Sequence, residues 1–394
     1  MAVAGVFASD QNIVGSRVGD FASSLLRVNP SGSAPMFALT SGMPSESAQD
    51  TIVNWFEEVK LTGRKAVTSV NGDGDSTSFT VADASDWVAG TVLLVEETGE
   101  FLYVTAVSTN TLTVTRGIGS STQTTITTSH TFYRVGNAQE EGSALPTAVA
   151  NLGDVRFNVT QIFRNTWSVT GTVKAIKYHT GNQVAKNRAD CAFLHAEDIE
   201  RAILWSRKHI GALNGQPFRI MDGLVTQLEN HGGISSSQSS SVQWSDFLTF
   251  FRQVFATNIK GKPNERIAFS GNIAVDTLNL IAHLDGTINM TAGQTDFGLE
   301  VVRLRTPHGS VTLMTHPLMN ESSHWQKTLY VFHPGAILTK YLRRTQIEGY
   351  DANGRRIDGK DADQGVYTTE MTVQLMAAQT SGKFTGIDTA AVQT

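Results

Sequence analysis

Two runs of the chain alternate apolar and polar residues with the period of a β-strand. They are Thr51–Leu61 (TIVNWFEEVKL) and Val155–Ile176 (VRFNVTQIFRNTWSVTGTVKAI). Successive side chains of a strand point to opposite faces, so this alternation predicts strands with one wetter and one drier face. In the second run the phase set by Phe157, Val159 and Phe163 slips around Arg164 and Asn165, as a bulge requires. The two runs are expected to pair as a long hairpin. Between them, from Ala66 to Gly142, Thr, Val and Ser dominate and the turn signals NGDGDS, VAG, ETGE, STNT and GIGSS recur at short intervals. Such spacing predicts a small all-β module with five short strands: Ser78–Val81, Thr91–Glu96, Glu100–Val107, Thr111–Arg116 and Thr131–Val135. A compact barrel or sandwich would then sit at the tip of the hairpin.

The period changes at Val184. From there to Ile210, Ala185, Ala189, Ala192, Ala196, Ile199 and Ile203 recur at steps of four and three, one stripe of a helix about 40 Å long. The stripe is mostly small, which suits close packing on a sheet. A Gly- and Ser-rich stretch, HGGISSSQSSS from His231, reads as a domain junction. Beyond it, Phe247, Leu248, Phe251, Val254 and Phe255 predict a second helix with Ser245 as its cap. The strand RIAFSG and a helix over Ile273–Leu284 follow. LEVVRLRTPHGSVTLMTHP predicts a hairpin turning at Thr306–Gly309, and YTTEMTVQLMAA predicts a final strand over Tyr367–Ala378. Residues 1–45 are rich in Gly, Ala, Ser and Pro, with apolar clusters only at Phe21–Leu26 and Met36–Leu39. That composition predicts an extended arm, since it cannot bury enough apolar surface to offset its ordering entropy.

Composition narrows the function classes. A formal net charge of −5 over 394 residues is not the strongly basic balance of a dedicated nucleic-acid-binding domain. The single cysteine, Cys191, rules out an internal disulfide framework or a Cys-rich zinc site and is expected to be a small buried hydrophobe. Neither an export signal nor a membrane span is expected. His195 and Glu197 form an H-x-E, but the P-C-x-x-C of zinc deaminases is absent, so the pair reads as solvated helix charges. Asn71, Asp73 and Asp75 have calcium-loop spacing, yet Ser76 and Ala82 stand where that loop needs Gly and Glu, so a hairpin turn is the better reading. His316 and His333, each before a proline, read as strand-end residues. No nucleophile elbow, Walker loop or dinucleotide fingerprint occurs. No catalytic, cofactor-binding or metal residues are assigned, and no small-molecule substrate is expected.

The order of these elements resembles the Hong Kong 97-type fold of tailed-phage major capsid proteins. VTQIFRNTWSVTGTVKAI followed by the long helix is similar to the extended-loop return and spine helix of one capsid family. RLRTPHGSVTLMTHPLM is similar to its axial-domain hairpin, and HPGAILTKYLR and GVYTTEMTVQLMAAQTSGKFTGI to its closing segments. The resemblance implies an α+β fold with an N-terminal arm (1–45), an extended loop (46–176) carrying the all-β insertion (66–142), and a peripheral domain with the spine helix (177–215). An axial domain (216–339), closing peripheral strands (340–387) and a C-terminal tail (388–394) complete it. It further implies a structural subunit, not an enzyme, that self-assembles into hexamers and pentamers of an icosahedral virion shell. Packaged double-stranded DNA would be held without sequence preference, with portal, scaffolding and decoration proteins as further partners and assembly in the bacterial cytoplasm.

Contacts between subunits are expected at Trp55, Glu57, Glu58, Lys60, Arg164, Trp167, Arg343, Arg344, Arg355 and Arg356, and the loop Glu348–Gln364 is expected near threefold positions. Some relatives close their shells through a Lys–Asn bond. Lys60 and Lys65 lie in the corresponding region, but no partner Asn and Glu stand out, so non-covalent closure is expected. An encapsulin-like compartment shares the fold and is the alternative, followed by a tail or baseplate protein and, last, an uncharacterised enzyme.

Overall fold

The computed structural model describes residues 45–58, 63–72, 76–150, 153–178, 181–238, 242–285, 290–292, 302–306, 308–349 and 361–388. Nearly all of the expected arm and tail, together with Lys60, Arg355 and Arg356, lies outside these residues. The chain divides into two units, Trp55–Arg156, and Met1–Asn54 with Phe157–Thr394. The division runs through a two-stranded ribbon, Ile52–Glu57 paired with Asp154–Val159.

The unit Trp55–Arg156 is a closed barrel. Its strands follow the order Arg64–Val70, Ser78–Val81, Thr111–Thr115, Phe101–Ser108, Thr91–Val95 and Thr131–Asn137, each antiparallel to its neighbours. All five expected strands are present, Ser78–Val81 with the expected bounds and the other four with ends shifted by a residue or two. A sixth, unexpected strand, Arg64–Val70, pairs on both sides and so closes the sheet. Closure leaves no unpaired edge, which is what a small, isolated β-module needs. Alternate residues fill the interior: Val67, Phe79, Val81, Leu93, Val95, Leu102, Val104, Leu112, Val114 and Phe132 are buried in one cluster. Phe79 meets Phe132 edge to face, ring centres 5.5 Å apart. Asn71 closes the NGDGDS hairpin, its amide nitrogen donating to Ser78 and Thr80 hydroxyls; Asp73 and Asp75 lie outside the described residues.

In the second unit, Ser45–Ser47, Ile337–Glu348, Ala362–Leu375 and Gln161–Thr170 form a four-stranded sheet in that order. A seven-stranded mixed sheet has Glu265–Ser270 at its centre, with Leu329–Phe332 on one side and Gly309–Thr315 on the other. Val302–Thr306 and Gly309–Thr315 form the expected hairpin, with Thr306 opposite Gly309. Four residues of the supposed Ser-rich junction form a strand, Ile234–Ser237, parallel to Gly382–Thr385 at the sheet's end. The long helix, Gln183–Trp205, packs on the first sheet. Ile199, Ile203 and Leu204 enter a core with Phe163, Met371, Val373, Phe332 and Met319 that joins both sheets. The second expected helix runs Trp244–Val254, and its N-terminus is closed by Asp246 accepting from the Gln243 backbone N–H at 2.9 Å, in place of a Ser245 cap. Helix Asn272–Asp285 agrees with expectation.

Three further expectations are corrected. The long hairpin is short, because the run from Val155 divides at Thr160. There the buried Asn158 amide nitrogen donates to Asp222 and Val373 carbonyls at 2.9 and 2.7 Å, and the chain passes from the ribbon to the four-stranded sheet. Residues Gly171–Ala175, read as strand, form a helical turn capped by Thr170. The long helix ends at Trp205 instead of Ile210. Ser206 turns extended while its hydroxyl bonds to the Ala202 and Met221 carbonyls, and the following residues form a hairpin, His209–Leu213 with Gln216–Ile220. Asn214 and Gly215 both have positive φ (52° and 75°) at its turn, the two-residue geometry that an Asn-Gly pair supplies.

Candidate intersubunit surface

At the base of the barrel unit, the ribbon strand exposes and buries alternate residues. Trp55 and Glu57 turn inward, with the indole N–H donating to Glu57 Oε1 at 2.8 Å, and Arg156 approaches Glu57 Oε2 at 4.0 Å. Phe56, between them, is 80% exposed, and Glu58 is exposed. Of the acidic and aromatic residues expected here to touch a neighbour, Trp55 and Glu57 are thus bonded within the chain. The side chain that alternation turns outward is Phe56, which is not among the expected contacts.

The second group gathers on the four-stranded sheet. Arg343 Nε donates to Glu370 Oε2 at 2.9 Å; Arg219 lies 3.5 Å from Glu370 Oε1, and the Thr160 hydroxyl donates to the same oxygen at 3.1 Å. Glu370 is only 4% exposed, so these partners replace the water lost by its carboxylate. Glu348, half-buried, takes Arg164 at 3.6 Å and Arg343 at 4.0 Å. Arg344 donates to the Ser45 hydroxyl at 3.0 Å and lies over the Tyr341 ring, where the arm's last described residues join the sheet. Trp167 is buried opposite Gly365, where a Cβ would come within 2.9 Å of the indole. Arg164, Arg343 and Arg344 therefore remain partly exposed on one sheet while Trp167 packs inside it. Glu370 and Arg219 were missed. A lone acid on an otherwise neutral, alternating strand was the available signal, because such a charge needs a counter-charge.

The supposed solvated pair on the long helix is buried. His195, 3% exposed, lies 2.6 Å from Asn165 Oδ1 through Nδ1 and 2.8 Å from the Thr369 hydroxyl through Nε2. Asn165 donates its amide nitrogen to Asp198 at 2.7 Å, which leaves its oxygen for the imidazole and so sets Nδ1 as the protonated nitrogen. Burial holds His195 below the ordinary histidine range against the pull of Asp198. Glu197 is also buried, 3.5 Å from Arg201. His316, fully buried, meets Glu200 at 2.6 Å. His333 closes the strand Leu329–Phe332, and its Nδ1 accepts from the Gly335 N–H at 2.9 Å. Cys191 is buried as expected, and burial raises its thiol pKa. These groups hold elements together, and among the described residues no group of three or more His, Cys, Asp and Glu could hold a metal ion. No described helix is long and apolar enough to cross a membrane.

A family model described as the SU10 major capsid protein matches residues 7–388 of the chain. The chain belongs to this family. It is a tailed-phage major capsid protein, and the expected α+β, Hong Kong 97-type fold holds. It is similar to the major capsid protein of Pseudomonas phage PaMx41, with 26% identity over 404 residues covering 98% of this chain and 96% of the relative. A solved structure from Mycobacterium phage Bobi matches 97% of this chain and 99% of its own at TM-score 0.51 and 7% identity, a likeness of fold. The capsid of Myoviridae phage XM1 matches at TM-score 0.45 and 8% identity over 97% and 99% of the two chains. The holo-SrpI encapsulin complex of Synechococcus elongatus gives 0.43 and 9% over 61% and 79%. The family favours the phage shell over the encapsulin and tail readings. It is a structural class and not an enzyme class; its members build shells, so self-association and a place in the virion capsid follow.

Proposed function

We propose that this major capsid protein assembles into hexameric and pentameric capsomers of an icosahedral head around double-stranded DNA, in the cytoplasm of the host. In this reading 46–62 and 155–176 form the extended loop over a neighbouring subunit. The helix Gln183–Trp205 is the spine of the peripheral domain, 216–339 the axial domain, and the barrel an outward-facing insertion in the loop. Packaged DNA meets scattered Lys and Arg contacts, weak singly but multiplied by copy number. Portal, scaffolding and decoration proteins are further partners. Shell closure is non-covalent.

The observation that carries the proposal is surface left open in one chain. The hairpin His209–Ile220 is exposed along almost its whole length, with Ile210 at 55%, Leu213 at 58% and Phe218 at 38%. A two-stranded hairpin is marginal by itself, so an exposed apolar one needs a second surface. Electron microscopy of the protein expressed alone is the test. Closed polyhedral particles are expected; a monodisperse monomer under all assembly conditions would overturn the proposal. A cross-linked ladder on denaturing gels would overturn non-covalent closure.

A further inference from the structure

One outer wall of the barrel carries apolar side chains at the positions where a wetted sheet face carries polar ones. On Phe101–Ser108, Thr91–Val95 and Thr131–Asn137, adjacent in that order, the inward residues build the core. The residues between them point out, and six are apolar or aromatic: Val92, Leu94, Phe101, Tyr103, Tyr133 and Val135. Register sets Leu94 between Phe101 and Tyr133, and Val92 beside Tyr103, so they form one continuous patch. Tyr133 is 46% and Val135 53% exposed. At the rim, Arg64, opposite Tyr133, is neutralised by Glu96 through contacts of 2.7–2.8 Å. The outward positions of the neighbouring strand Thr111–Thr115 are threonines, which is the ordinary pattern for a wetted sheet face.

The chain leaves this patch into a segment with the same deficit. Residues 138–150 are exposed throughout, without strand or helix, and Ser143–Ala150 (SALPTAVA) bears no charge. Leu145 is 98% and Val149 40% exposed. Pro146 disfavours helix for this stretch and predisposes it to lie extended. Tyr133 and Val135 of the apolar wall and the apolar strap are thus uncovered in one molecule, while Val92, Leu94, Phe101 and Tyr103 are half-buried. A capsid repeats both on every copy, so a strap that reaches the next copy's wall can propagate around a ring of subunits.

We propose that, in the assembled shell, Ser143–Ala150 of one copy lies across the apolar wall of a neighbouring copy's barrel. The proposal rests on the shell reading above and adds to it a specific contact made by the barrel.

The test co-assembles two variants of the full chain, Leu145→Cys and Val135→Cys, and treats the particles with a short bismaleimide. The native Cys191 is buried and stays out of the reaction. A dimer band on denaturing gels is expected in mixed particles and not in particles of either variant alone. Mixed particles that form and give no dimer overturn the strap contact while leaving the shell reading intact. A double variant that consumes its thiols within one chain assigns the strap to its own barrel and overturns the proposal. Failure to form any particle, with wild type included, sinks the shell reading as well. As a second readout, Leu145→Asp changes a side chain that touches nothing in one chain. It is expected to lower the urea concentration at which particles dissociate while leaving barrel unfolding unmoved; unchanged dissociation overturns the proposal.

Discussion

Single residues show how this chain keeps polar groups inside a large core. Arg266 is fully buried and donates to the carbonyls of Thr380, Thr257 and Glu265 at 2.9–3.1 Å, with its guanidinium over the Phe255 ring. Burial lowers its pKa to about 10, so it still carries its charge at neutral pH. Arg266→Ala leaves these carbonyls without their donor and is expected to cost about 3–5 kcal/mol in denaturant unfolding. His333 behaves oppositely. Burial, with Arg266 and Lys262 nearby, lowers its pKa to about 4, and its Nδ1 must stay unprotonated to accept from Gly335. A histidine whose folded pKa lies below its unfolded value of about 6.5 costs stability as the pH falls. The loss begins near 6.5 and is complete below about 4, with a ceiling of about 3 kcal/mol. His333→Gln should flatten the dependence over that window in urea titrations at several pH values; an unchanged slope would contradict this account. The sequence order gave no sign of these burials. A polar side chain reads as wet until the partners brought by distant segments are known, as with His195 and Asn165.

At the scale of elements, legibility followed how local the determinants were. The barrel strands could be read because turn residues bracket each one. The closing strand Arg64–Val70 was missed because RKAVTSV places one core valine among polar residues, and its need for two neighbours is not visible locally. Alternation predicts too long a hairpin because a period of two does not reveal which sheet a strand joins, and Asn158 makes that switch through bonds to Asp222 and Val373. The apolar stripe predicts a helix past Trp205, although Asn214-Gly215 marks a hairpin turn. In the candidate surface, Arg164, Arg343 and Arg344 were named from local basic clusters, whereas Glu370 and Arg219 come together only through folding. Two predictions belong here. Gly365→Ala would press a methyl group onto the rigid Trp167 ring and should cost about 1–3 kcal/mol by thermal or chemical unfolding. In the barrel, Arg116 grips the buried Glu100 with two bonds of 2.9 and 2.7 Å. Burial would raise the Glu100 pKa, but this grip and the Thr124 N–H outweigh it and hold the carboxylate below its usual range. Arg116→Ala strands that charge and should destabilise barrel unfolding by about 3–5 kcal/mol, with little change in the signal of the other unit.

The whole molecule is organised around surfaces that one copy does not cover. Phe56 on the ribbon, the hairpin His209–Ile220 and the segment Ser143–Ala150 all present apolar side chains to solvent, while two extensive cores and the barrel interior are buried. Stability of the units is intrinsic to one chain, whereas completion of these surfaces falls, in the proposed reading, to further copies. Backbone amide exchange compared between assembled particles and dissociated chain measures that separation directly. Amides of residues 209–220 and 52–57 should exchange fast in the dissociated chain and gain strong protection in particles, while the sheet strands Glu265–Ser270 and Ala362–Leu375 stay protected in both. Equal exchange of the hairpin and ribbon in the two states would contradict the account, because those surfaces would then owe nothing to neighbouring copies.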